Sequence, residues 1–195
     1  MFPVGGVGVM LLLIAVAALV AAAVAAALAR RFGWQWAALF GLLLLSLAAI
    51  GVLTLIPANG APGIVSAEGR LDHCSWDIGG PAPDGFWILP GGQRLLNTAV
   101  FVPAGMLLVL VAARWRSAWV TVPLGLAALA GYSVLIELTQ LEAARIDRAC
   151  DVTDVIDNVT GAVVGVLIGI ALLPVVRPWR FGRATTSREP VASRR

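Results

Sequence analysis

Five apolar runs, each close to the length of a bilayer-crossing helix, constrain this chain more than any other feature of its sequence. They cover residues 4–29, 34–57, 95–113, 118–140 and 152–176. A helix needs about 20 predominantly apolar residues to cross a hydrocarbon core. Lipid offers backbone N–H and C=O groups no partner, so each run must satisfy them internally and is predicted to be helical. Composition agrees. Hydrophobic residues make up 59% of the chain and charged residues 13%, against a little under half and about a quarter in a soluble domain. Low charge and high apolarity also exclude a disordered chain. The first run is followed by Arg30 and Arg31 and has neither a basic leader nor a clear cleavage site, so it reads as a retained helix and not a signal peptide. The predicted fold class is therefore all-α, a polytopic integral membrane bundle of five transmembrane helices.

The arginines orient it. Arg30, Arg31, Arg114, Arg116 and the six that follow the last run make ten on one side, against Arg70, Arg94, Arg145 and Arg148 on the other. Arginine excess marks the cytoplasmic side, which puts the N-terminus outside and the C-terminus in the cytoplasm. Trp34, Trp36, Trp115, Trp119 and Trp179 fall at inner interface positions, which suit an amphipathic indole. Four segments follow: two N-terminal helices in 1–57, an extracytoplasmic loop in 58–94, a three-helix core in 95–176 and a basic cytoplasmic tail in 177–195. The loop is broken by Pro62, Pro81, Pro83 and Pro90, and its stretch 86–89 is apolar enough to lie in the interface. The tail reads as an anchor near anionic lipid. Basic charge scattered between apolar runs makes no nucleic-acid face.

Cys74 and Cys150 both fall outside in this topology. An oxidising compartment would join them, and two unpaired thiols are the alternative. His73 beside Cys74 lacks the further ligands a metal needs, so no metal and no cofactor is expected.

Polar residues inside spans are costly and mark functional candidates. They gather at the outer end of the last three runs. Asn97 opens the third, with Phe101, Pro103 and Gly105 behind it. Ser133, Glu137 and Gln140 close the fourth at i, i+4, i+7 and so share a face. Asp151, Asp154, Asp157 and Asn158 open the fifth, which continues with Gly161, Gly165 and Gly169. At about 100° per residue, Asp151, Asp154, Asn158 and the three glycines form one stripe, with Asp157 off it. Small residues four apart let another helix approach closely, so the stripe carries both a packing seam and a polar head. Asp151 is placed to cap the helix, with Asp154 three residues on as in a capping box. Arg148 stands just ahead as a partner for Glu137 or an aspartate. The predicted site is therefore Asn97, Glu137, Gln140, Arg148, Asp151, Asp154 and Asn158. An ion-paired structural junction and a functional pocket both remain open for it.

At these residues the chain resembles the VanZ-like family. Asn97-Thr-Ala-Val-Phe101-Val-Pro103-Ala-Gly105 is similar to N-x-x-x-F-x-P-x-G. Ser133-Val-Leu-Ile-Glu137-Leu-Thr-Gln140 is similar to S-x-x-x-E-x-x-Q. The segment from Arg148 through Asp151, Asp154 and Asn158 to Gly161 is similar to R-x-x-D-x-x-D-x-x-x-N-x-x-G. The loop between Gln140 and Arg148 is a residue or two longer than the pattern, and Arg145 and Asp147 imitate it one step early. The resemblance implies a multi-pass protein of the bacterial cytoplasmic membrane, and a link to resistance against teicoplanin-type glycopeptides. It supplies no reaction.

Three functions compete. The first is a non-enzymatic envelope module that binds a lipid-linked cell-wall precursor, or shields the surface from a glycopeptide. No Ser/His or Cys/His pair, H-E-x-x-H or P-loop pattern is present, and no catalytic residue is assigned. The second is a metal-dependent enzyme acting on a polyprenyl-phosphate or phospholipid head group, with Glu137, Asp151 and Asp154 holding a cation and Arg148 clamping phosphate. The third is a proton-coupled carrier, for which no inverted repeat is evident. The bilayer is the one certain partner, and the sequence gives no oligomeric state.

Overall fold

A computed structural model of the protein describes residues 5–57, 74–76, 78, 92–143 and 150–181. They form five helices: α1 (Val7–Phe32), α2 (Trp34–Leu55), α3 (Gly92–Ala112), α4 (Ala118–Ala143) and α5 (Val152–Val176). A short 3-10 turn, Pro178–Arg180, follows. All five are long and apolar enough to cross a membrane. The predicted features at 86–89, His73, Arg145, Asp147, Arg148 and the tail from 182 lie outside the described residues.

The helices follow the apolar runs because each run ends where a backbone breaker or a polar turn begins. Gly33 alone separates α1 from α2. Its φ of 85° lies in a region open to glycine and strained for other residues, and this single residue reverses the chain. The far ends of the hairpin are tied by Gly6 N–H donating to Pro57 O at 2.8 Å. Residues 113–117 turn α3 into α4. The bundle thus has two ends. One carries the Gly6–Pro57 closure, the starts of α3 and α5 and the end of α4. The other carries Gly33, the 113–117 turn and the end of α5.

α3 and α5 run parallel and pack backbone to backbone. Cβ atoms at Gly161 and Gly165 would overlap the carbonyl oxygens of Thr98 and Val102, and one at Gly169 would sit 2.8 Å from Met106 O. From the other side, a Cβ at Gly105 would overlap Ala162 O. Only glycine allows this approach. α2 covers α3, and α4 leans on α3 and α5. Ile50, Phe101, Ala104, Leu129, Ile136 and Ala162 fill the centre.

A second cluster closes the opposite end. Trp36, assigned to the interface from its sequence position, is in fact buried. Its ring stacks on Phe40 with centroids 5.2 Å apart, and its Nε1–H donates to Val111 O at 3.0 Å. A buried indole needs such an acceptor, and a carbonyl of the last turn of α3, left without a partner in its own helix, supplies it. Trp34, by contrast, stays 69% exposed.

Candidate functional site

The polar residues of α3, α4 and α5 lie together at the end where α5 begins. α5 starts there because Asp151 caps it, Oδ1 accepting from Thr153 N–H at 2.8 Å. The backbone N–H of Asp151 donates to Glu137 Oε2 on α4 at 3.2 Å. A neighbouring helix thus supplies an acceptor to the capping residue itself, the bond a capping box makes within one helix. Glu137 and Asp154 are both buried.

The i, i+4, i+7 face of α4 divides its bonds between two helices. Ser133 Oγ accepts from Asn158 Nδ2 of α5 at 2.9 Å, and Glu137 meets the α5 cap. Gln140 turns the other way, its Nε2 donating to Thr54 O of α2 at 3.0 Å. Thr54 is buried and bonds its own helix at Ile50 O, 2.8 Å away. Of the predicted site residues, Glu137 and Asp151 are brought into contact. Asn158 bonds Ser133, one turn away from Glu137 on α4, and Gln140 is directed to α2. Asn97 is buried at the start of α3, and Arg148 lies outside the described residues.

Three buried amide atoms in this region have no hydrogen-bond partner among the described residues: Asn97 Nδ2, Gln140 Oε1 and Asn158 Oδ1. Nearly all buried polar atoms in folded proteins are paired, and leaving one unpaired costs about 1–3 kcal/mol.

The sequence reading missed one contact at this layer. Asp157, placed off the stripe, is buried and accepts a bidentate pair of bonds from Arg94: Nε to Oδ2 at 2.9 Å and Nη2 to Oδ1 at 3.1 Å. The fork matches the carboxylate in two places at once. The apolar pattern puts Arg94 in the loop, but α3 starts at Gly92 and takes Arg94 into its first turn. Thr54 was missed too, although a threonine inside an otherwise apolar run was a readable signal.

Cys74 and Cys150 form a disulfide with Cα atoms 4.6 Å apart, within the range a bridge requires. It ties the connection between α2 and α3 to the start of α5. Ser75 reinforces the tie, with its N–H donating to Cys150 O at 2.8 Å and its O accepting from Val152 N–H at 3.1 Å. The disulfide, the cap and Glu137 are therefore consecutive links over two or three residues. Among the described residues no group of three or more His, Cys, Asp or Glu is arranged to hold a metal.

Five apolar helices with one polar, disulfide-tied end define a multi-pass membrane protein. The family model described as VanZ/LLP1 matches residues 9–173, most of the chain, and the protein belongs to that family. No curated protein and no solved structure matches it.

Proposed function

We propose that the protein is a non-enzymatic module of the bacterial cytoplasmic membrane whose polar centre takes the head group of a lipid-linked envelope component. In this reading the disulfide end faces outside, as the arginine distribution and the oxidised cysteine pair favour. Occupying that component lowers the exposure of the surface to a teicoplanin-type glycopeptide.

The observation that carries the reading is the set of unpartnered buried amide atoms on Asn97, Gln140 and Asn158. A head group rich in hydroxyls, amides and phosphate oxygens would pair them and recover the cost of leaving them unpaired. The amides orient a ligand without supplying a nucleophile.

The test uses full-length protein in nanodiscs titrated with a polyprenyl phosphate and with a polyprenyl diphosphate-linked sugar. Binding raises the thermal midpoint, and at about 100 times the Kd the native state gains about 2.7 kcal/mol. Asn97→Leu, compared with its own ligand-free midpoint, loses that gain, because it removes the unpartnered amide nitrogen. Absence of any shift with either lipid overturns the reading. Release of phosphate or sugar in the presence of Mg²⁺ replaces it with the enzyme reading.

A further inference from the structure

The opposite end of the bundle carries an arrangement that the head-group centre does not use. The guanidinium carbons of Arg31, at the end of α1, and Arg114, in the turn after α3, lie over the same phenyl ring. They stand 5.4 Å and 5.8 Å from the Phe32 centroid. Arg114 is held further by the rings of Trp36 and Trp115, at 5.9 Å and 5.7 Å, and it donates to Phe32 O. Aromatic faces position a cation and leave its charge in place. Two positive charges thus stand against one ring.

No carboxylate among the described residues answers them. Among the described residues Glu137, Glu142, Asp151, Asp154 and Asp157 are the acids, and all lie at the disulfide end. The pair therefore offers its positive charge to an anion from outside the described residues. Guanidinium forks favour the planar oxygen pairs of phosphate, and most of the N–H donors of these two arginines remain open to it. Depth identifies the source. Trp34, Trp115 and Trp119 are exposed around the cluster, and exposed indoles at span ends sit at head-group level.

We propose that Arg31 and Arg114, set on the Phe32 ring, form a binding site for the phosphate of an anionic phospholipid in the leaflet at this end. The site is distinct from the polar centre at the other end and stands or falls independently of it. The occupant is a lipid and not a soluble anion, because the ring of exposed tryptophans fixes the site in the interface.

The experiment is native mass spectrometry of the full chain released from nanodiscs holding equal phosphatidylglycerol and phosphatidylcholine. The parent retains phosphatidylglycerol in preference. Arg31→Gln retains it about fivefold less, the effect of one arginine near an anionic surface, and Arg31→Lys, which keeps the charge without the fork, recovers only part of the loss. Arg31→Gln keeps the parental thermal midpoint in pure phosphatidylcholine discs, since the described contacts of Arg31 reach only the ring beside it. Arg177→Gln serves as the control, because Arg177 spends its Nε on Pro174 O at 2.8 Å and stands outside the cluster. Equal losses for Arg31→Gln and Arg177→Gln overturn the proposal in favour of a diffuse surface potential. So does equal retention of the two lipids. Stabilisation by millimolar inorganic phosphate in phosphatidylcholine discs, equal to that from phosphatidylglycerol, overturns the lipid assignment.

Discussion

Arg94 and Asp157 form the top rung of a ladder that continues as the glycine seam. They are 63 residues apart, and so are Thr98 and Gly161, Val102 and Gly165, and Met106 and Gly169. One parallel register therefore sets both the ion pair and the backbone contact between α3 and α5. The pair sits where the seam meets the polar layer, with Arg94 45% exposed and Asp157 10%.

That asymmetry makes the two partners unequal. Arg94 can turn to water if its partner is lost, whereas Asp157 stays enclosed with its charge uncompensated. Arg94→Gln is expected to lower the unfolding midpoint more than Asp157→Asn. The double variant should recover part of the Arg94→Gln loss. A double-mutant cycle by thermal unfolding in detergent measures the coupling. Additive losses would show a solvated, uncoupled pair.

The seam predicts a contrast between glycines. Gly161→Ala drives a methyl into Thr98 O, a backbone atom that cannot step aside, and is expected to cost at least about 2 kcal/mol. Gly131→Ala meets nothing within 4 Å and should be neutral, or stabilising by up to about 1 kcal/mol from helix propensity. Unfolding titrations of the two variants separate them.

The disulfide closes 76 residues of sequence, for which chain entropy in a free chain gives about 4 kcal/mol. Inserted spans already restrict that chain, so Cys74→Ser is expected to cost less than this. Its local effect should be larger than its global one, because Ser75 holds Cys150 O and Val152 N–H beside the cap. Hydrogen exchange at Val152 and Thr153 should quicken in the reduced protein, with the middle of α5 unchanged. Uniform quickening along α5 would show that the bridge supports the whole helix.

Orientation is checked with fusions. A fluorescent protein joined after residue 195 should light up, and a periplasm-dependent phosphatase at the same place should be inactive. The phosphatase inserted between residues 60 and 70 should be active. The reverse pattern overturns the outward placement of the polar centre.

The five helices were legible because a bilayer span leaves a long and nearly uninterrupted mark, and the runs and helices agree to within a few residues. The glycine seam was legible for a similar reason, a fixed spacing within one helix. Asp157 was not. A single-helix projection draws a stripe parallel to the axis, whereas packed helices meet along i, i+4 ridges inclined to it. Residues 157, 161, 165 and 169 lie on one such ridge, so Asp157 belongs to the seam although the projection sets it aside. Arg94 lay beyond local reading, since its role depends on a partner 63 residues away. The shared face of Ser133, Glu137 and Gln140 was readable. Its division between α5 and α2 was not, because nothing in α4 specifies which neighbours surround it.

The contact between α3 and α5 also determines where the molecule can move. With backbone laid on backbone along most of the seam, the pair has little clearance to slide, and it is expected to behave as one rigid strut through the bilayer. At its polar end α4 is attached differently, through Ser133, Glu137 and Gln140, beyond the apolar packing of Leu129 and Ile136. Hydrogen bonds of that kind can be traded for bonds to water or to a ligand without leaving a void. Any widening of the polar centre is therefore expected as a displacement of the polar end of α4 against a fixed post, the glycine joint holding while the hydrogen-bonded joint gives.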